Sequence, residues 1–198
     1  MLRRAFDATA AAAGLIVLAP LFAVVAAAIR VDSPGPVFYR QERVGRGGRT
    51  FKMTKFRSMR TDADRVGGQL TVGADPRITR VGRWLRASKI DELPQLLDVL
   101  RGDMALVGPR PEVPRYVALY TPEQRRVLEV RPGITDPASI HYRDESEALA
   151  NAADPERAYV DTVMPHKLAI NLDYQDRRTL ASDVGVILAT LLRLVRRR

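Results

Sequence analysis

The chain contains no cysteine. Disulfide frameworks and thiolate metal sites are therefore excluded, and a reducing compartment fits. Histidine occurs only as His141 and His166, far apart in sequence, which argues against a multi-histidine zinc site. Aromatic residues make up 6% of the 198 positions. The core is accordingly expected to be aliphatic, and Trp84, Phe51 and Phe56 form no run of base-stacking platforms. There is no glycine-rich phosphate loop or dinucleotide fingerprint, and no histidine with the neighbours of a hydrolase triad. No internal repeat or long low-complexity tract interrupts the chain.

Positive charge is abundant. Lys and Arg number 32 against 23 Asp and Glu, a formal +9. Such a surplus suits nucleic acid, anionic lipid headgroups or phosphorylated small molecules, and composition does not choose among them. From Ala8 to Ile29 the sequence is apolar apart from Thr9, Gly14 and Pro20, with Arg3 and Arg4 before it and Arg30 after it. A signal peptide ending near Ala26-Ala27-Ala28, a spanning helix of roughly 20 residues, and a re-entrant helix all fit. The nine Lys and Arg from Arg30 to Arg60 face only Asp32 and Glu42, which favours a cytoplasmic domain after the anchor. A straight crossing would export Arg3 and Arg4 against the same rule. Pro20 lacks an N–H and its ring meets the carbonyl of Ile16, so a break there would return the chain to its own side.

These features predict two parts: a membrane anchor over residues 1–30 and a basic domain over residues 31–198, which the resemblance given below implies to be catalytic. The fold class is α+β, mainly helical. Val37 to Gln41 and Thr50 to Phe56 read as a hairpin joined through Gly45, Gly47 and Gly48. Asp62 to Pro76 reads as a surface loop. Arg77 to Leu100 is mostly helical, with Ile78, Val81, Trp84 and Leu85 on one stripe, Leu93, Leu96, Leu97 and Leu100 on another, and Gly102 as the stop. Glu112 to Val130 predicts a helix divided near Pro122, with Thr121 capping the second part. Ser182-Asp183 is the expected cap of a last helix, Val184 to Val195, ending in Arg196-Arg197-Arg198. Its face of Val184, Ile187, Leu188, Leu191 and Val195 suits a core helix and an interfacial helix equally.

The densest chemistry is Ser88-Lys89-Ile90-Asp91-Glu92-Leu93-Pro94-Gln95. Adjacent carboxylates diverge on a regular helix, but at a helix start or kink beside Pro94 they can address one substrate from two directions. A carboxylate can serve as a nucleophile toward phosphorus while its neighbour holds Mg²⁺. By itself the pair is weak evidence, because solvated helix capping is the ordinary role of such residues. Lys55-Phe56-Arg57 ends a strand where cations can project into a cleft. In Val107-Gly108-Pro109-Arg110-Pro111 two prolines stiffen the chain around an arginine suited to a bidentate phosphate grip, although an exposed connector has the same composition.

Taken together, these strings resemble the bacterial sugar transferases of the monotopic polyprenyl-phosphate phosphoglycosyl transferase superfamily, in its minimal form. The likeness rests on Asp32 to Gly45, Lys55 to Met59, Ile90 to Gln95, Gly102-Asp103-Met104, Val107 to Pro111 and Arg131 to Thr135, in family order. It implies a re-entrant helix broken at Pro20 and a cytosolic domain with interfacial helices on the inner membrane of a bacterium. It further implies Asp91 as the nucleophile, Glu92 as its partner toward Mg²⁺, and Lys55, Arg86 and Arg110 near the substrate phosphates. Arg57, Lys89, Pro109 and Pro111 are supporting candidates. The implied substrates are a nucleotide sugar, with UDP the family expectation, and polyprenyl phosphate, with undecaprenyl phosphate expected. Anionic inner-membrane lipids are further expected partners, nucleic acid is not, and homodimerisation is left open. The chain departs from the family pattern at Ala19, where serine is usual, and over Asp136 to Arg143. Competing readings are a membrane-tethered binder of nucleic acid or anionic lipid, and a degenerate family member serving as a structural partner.

Overall fold

The computed structural model describes residues 2–66, 73, 75–142 and 149–195. Arg143, the basic tail Arg196-Arg197-Arg198 and part of the loop expected from Asp62 to Pro76 lie outside them.

The alanine-rich N-terminal segment forms one helix, α1, over Leu2–Asp32, and the helix runs through Pro20. Its apolar residues divide between two environments. Ala11, Val25 and Ile29 are buried, whereas Ile16 and Val17 near the middle are 76% and 77% exposed. Both ends of α1 are seated on the rest of the protein. Near the N-terminus, Ala11 joins a core cluster with Met53, Val99 and Met104. The Arg4 guanidinium donates to the carbonyls of Val99 and Leu100, and that of Arg3 to the carbonyl of Arg178 at 2.7 Å. Toward the C-terminus, Phe22, Val25 and Ile29 pack with Phe56 and Leu85, Phe22 edge-on to Phe56 at 4.9 Å.

Strands β1 (Phe38–Val44) and β2 (Thr50–Phe56) form the expected hairpin, paired from Phe38↔Phe56 to Val44↔Thr50. β1 runs three residues past Gln41. Gly47 and Gly48 turn the chain at φ of 69° and 77°, where a side chain would be strained. A single turn, α2 (Ala63–Val66), precedes α3 (Arg80–Ser88). The Thr79 hydroxyl caps α3 by accepting from Gly82 N at 3.0 Å, and Asp32 accepts from Val81 N at 3.0 Å. The helix expected as far as Leu100 is interrupted. Lys89 adopts a left-handed φ of 59°, a 3₁₀ turn covers Ile90–Glu92, and α4 begins after Pro94 as Gln95–Arg101. Gly102, at φ 91°, ends α4 as expected. Trp84 leaves the expected stripe and is 56% exposed. The inward face of α4 is Gln95, Asp98 and Val99 rather than its leucines. Asp98 is buried because it accepts from Thr54 N at 2.7 Å and Thr54 Oγ1 at 2.9 Å, which fastens α4 to β2.

β3 (Ala105–Val107) pairs in parallel with β4 (Gly133–Thr135). The two strands approach so closely at Gly108 and Gly133 that a Cβ on Gly133 would lie 2.1 Å from Gly108 N. The helix expected over Glu112 to Val130 is reduced to α5 (Pro114–Val117) and a 3₁₀ segment, Gln124–Glu129. Thr121 and Gln124 cap the second piece reciprocally, at 3.0 and 3.2 Å. After α6 (Pro137–His141) come α7 (Pro155–Ala158), a π-helical turn (Tyr159–Val163) and α8 (Met164–Arg177). The largest core cluster, between α5 and α8, includes Tyr116, Tyr120 and Tyr159, so the core is less purely aliphatic than expected.

The last helix, α9, spans Leu180–Val195. Its cap lies earlier than predicted: Thr179 Oγ1 accepts from Ser182 N at 3.1 Å. Asp183 is instead buried, accepting from Tyr174 at 2.7 Å and Arg178 at 3.0 Å. Leu188 and Leu191 are 55% and 53% exposed, so this face of α9 is not part of the core.

Candidate active site

Three separately folded pieces meet at one point. The interruption between α3 and α4 presents Asp91 and Glu92, the end of β2 presents Lys55, and the loop after β3 presents Arg110. Glu92 is gripped from both sides. Arg110 donates to its two carboxylate oxygens at 3.0 and 2.5 Å, and Lys55 Nζ lies 3.2 Å from Oε1. The sequence pattern brings the left-handed Lys89 and Pro94 to either side of the acidic pair. A 3₁₀ turn there lets neighbouring carboxylates leave the backbone in different directions.

Their electrostatics diverge. Burial would raise the Glu92 carboxyl, but the adjacent Arg110 and Lys55 charges hold it well below the usual range. Asp91 moves the other way: burial raises its carboxyl and the Glu92 charge adds to the effect, against the pull of Lys55, Arg86 and Lys89. Asp91 Oδ1 is buried and has no hydrogen-bond partner among the described residues. Two neighbouring carboxylates are thus divided between a clamped, ionised group and a destabilised, more basic one. Burial also lowers the Lys55 ammonium to about 8, although Glu92 opposes this.

A cavity of about 1170 Å³ opens over these groups, lined by Lys55, Arg86, Lys89, Asp91, Glu92 and Arg110 among others. Lys55, Arg86 and Arg110, the cations expected near the substrate phosphates, all line this one cavity. Arg57 has a different occupation. Its guanidinium donates to the Pro34 carbonyl at 2.5 Å and to the Ser33 carbonyl at 2.7 Å, bracing the turn that leaves α1. Pro109 and Pro111 are buried backbone supports. The Pro109 carbonyl accepts from Gly133 N at 3.0 Å, and that of Pro111 from Arg43 at 3.0 Å.

Sequence reasoning missed the frame around this loop. Arg43 pairs with Glu112 at 3.4 Å, and the Tyr159 hydroxyl donates to Glu112 Oε1 at 2.8 Å. The position of Glu112 next to Pro111 was the available signal. It also missed that His141 and His166 meet, with ring centroids 5.7 Å apart, because α6 and α8 are neighbours.

Among the described residues, no three His, Cys, Asp or Glu side chains converge as a metal cage. The donors at the site nevertheless suit Mg²⁺, which commonly takes one or two carboxylates and completes its shell with water and substrate phosphate. The unpartnered Asp91 oxygen is the available hard donor.

The sequence matches the family described as bacterial sugar transferase over residues 1–197. The exopolysaccharide production protein PSS of Rhizobium leguminosarum bv. phaseoli is 40% identical over 200 residues, which is 97% of this chain and 94% of the relative. The UDP-glucose:undecaprenyl-phosphate glucose-1-phosphate transferase of Caulobacter vibrioides is 38% identical over 193 residues, 96% of this chain and 68% of the relative. An undecaprenyl-phosphate glucose phosphotransferase of Komagataeibacter xylinus is 41% identical over 198 residues, and there the chain spans only 35% of the relative's length. From the helix at Leu2 to the last turn of α9, the chain belongs to the bacterial sugar transferase family.

Proposed function

We propose that this protein transfers a sugar 1-phosphate from a nucleotide sugar, UDP-linked as in its relatives' names, to undecaprenyl phosphate. The observation that carries the reading is the division of labour in the carboxylate pair: Asp91 raised, with an unpartnered oxygen, beside a Glu92 pinned by Arg110 and Lys55. A raised carboxyl is the more basic oxygen and hence the better nucleophile toward phosphorus. In the first half-reaction an Asp91 oxygen attacks the phosphorus that carries the sugar. The bond from that phosphorus to the bridging oxygen breaks, and nucleoside monophosphate departs. In the second, an oxygen of the acceptor phosphate attacks the same phosphorus and the Asp91–phosphorus bond breaks. Lys55, Arg86 and Arg110 stabilise the charge that passes between phosphate oxygens. Asp91 and Glu92 would hold Mg²⁺, whose charge neutralises the substrate diphosphate.

The same reading includes a one-sided membrane attachment at the cytoplasmic face of the inner membrane. A helix of 31 residues is about 46 Å long, enough to separate its ends across a bilayer. Both ends are instead fastened to one body, Arg4 to α4 and Asp32 to α3. This supports a re-entrant or shallow course in which exposed Ile16 and Val17 enter the lipid. The exposed Trp84 of α3 and the exposed leucines of α9 suit the headgroup boundary.

Intact-mass measurement with labelled nucleotide sugar, Mg²⁺ and no acceptor tests the mechanism. The expected adduct has the mass of a phosphosugar, maps to Asp91 and disappears when undecaprenyl phosphate is added. Asp91→Asn should form none and should turn over at background. Rapid turnover by Asp91→Asn, or release of nucleoside diphosphate, would overturn it.

A further inference from the structure

The cavity over the acidic pair is lined by more than the groups that phosphate chemistry uses. Besides the cations, its lining includes Leu96 of α4, Leu106 of β3, Ile134 of β4, and Ile187 and Leu191 of α9. Leu96, Leu106 and Ile134 belong to one apolar patch, packed over Ala11, Met53, Val99 and Met104. The patch borders the anchor directly: a Cβ on Gly14 of α1 would stand 3.3 Å from Leu96 Cδ1. The α9 end is tied to β4 by the Thr135–Thr190 hydroxyl contact at 2.7 Å. Leu188, Leu191 and Leu192, at 55%, 53% and 61% exposure, place apolar surface outside this end.

We propose that this trough receives the isoprenoid chain of the acceptor beyond its first two units, the hydrocarbon running past α9 while the phosphate reaches Asp91. The proposal rests on the transferase reading given above and adds the acceptor's route. One space lined by both cations and aliphatic side chains is complementary to an amphiphile with an anionic head and a hydrocarbon tail. A nucleotide sugar, polar throughout, gains nothing from the aliphatic side chains. Burying leucine- and isoleucine-sized surface against a chain of isoprene units supplies affinity that grows with the length seated, until the trough is full. Residues of the trough therefore determine acceptor length preference without touching the reacting phosphorus.

The test uses the full-length protein in detergent with three enzymes: wild type, Ile187→Asn and Leu191→Asn. Both substituted positions lie on a surface helix, and circular dichroism with thermal unfolding verifies the fold. KM is measured for undecaprenyl phosphate, for a two-isoprene phosphate and for the nucleotide sugar. The expected result is a rise of about tenfold in KM for the long acceptor, the equivalent of one lost side-chain contact. KM for the nucleotide sugar and for the short acceptor should each stay within about twofold. Equal changes for both acceptors, or none, would overturn the route while leaving the transferase reading intact. A folded wild-type enzyme that transfers to neither acceptor would remove the transferase reading and the route with it.

Discussion

The clearest perturbation to make at this site is of pH, because Lys55 is held at about 8 and its partners are known. Its ammonium sits between Glu92 at 3.2 Å and the Arg110 charge, with little water around it. Below that value it is charged and, on the proposed reading, helps to bind substrate phosphate; above it, the cavity loses one of its cations. If transfer needs the charged form, kcat/KM for the nucleotide sugar should fall with unit slope above pH 8 and reach about a tenth of its plateau at pH 9. Stability should change in the opposite direction. The folded pKa lies below the ordinary 10.5, so between about 8 and 10.5 the unfolded chain binds a proton that the native one does not. Raising pH through that window therefore favours the fold. The assay is initial rate at low nucleotide sugar from pH 6.5 to 10, with circular dichroism on the same samples. Lys55→Arg keeps its charge throughout this range and should remove the alkaline fall. The reasoning fails if wild-type kcat/KM is flat to pH 10, or if Lys55→Arg leaves the fall where it was.

Two further outcomes are expected. Gly82→Ala should destabilise by about 2 kcal/mol or more and lower the unfolding temperature, because its Cβ would lie 1.9 Å from the Ser58 carbonyl oxygen; an unchanged melting curve would refute the packing described for α3. Cysteines placed singly at Arg4 and Thr50 should both be shielded from an impermeant thiol reagent in intact cells, since both ends of α1 are fastened to one body, whereas labelling at Arg4→Cys alone would establish a spanning helix.

Local signals carried the hairpin and its glycine turn, the Gly102 stop and the Thr121 cap, because each depends on residues a few positions apart. Long-range polar pairing was not legible. Leucine spacing suggested that α4 buries its leucines, yet Asp98 turns inward because Thr54, on a strand 44 residues earlier, offers two donors. In the same way Asp183 looked like a helix cap until Tyr174 and Arg178 were seen to enclose it. The site was legible as a set of strings, and the strings named Asp91, Glu92, Lys55 and Arg110. What they could not show was that Glu92 is the clamped member and Asp91 the unpartnered one, or that Arg57 serves the turn after α1. Those distinctions depend on which oxygen lies near which nitrogen, and nothing in a linear pattern encodes that.

The seating of α1 has a consequence for the order of events during synthesis. The helix leaves the ribosome before the side chains that receive it, Met53, Phe56, Leu85, Val99 and Met104, which follow dozens of residues later. For that interval its apolar surface has only lipid or chaperone to cover it. On the proposed membrane attachment, the bilayer is its first folding partner and the domain its second. Each side chain that later docks, Ala11 at one end and Ile29 at the other, must leave the first for the second. The core between β2 and α3 closes only once this helix is docked, since Phe56 and Leu85 pack against it. On that attachment, a chain that failed to insert would lack both a membrane address and the helix against which Phe56 and Leu85 close their core.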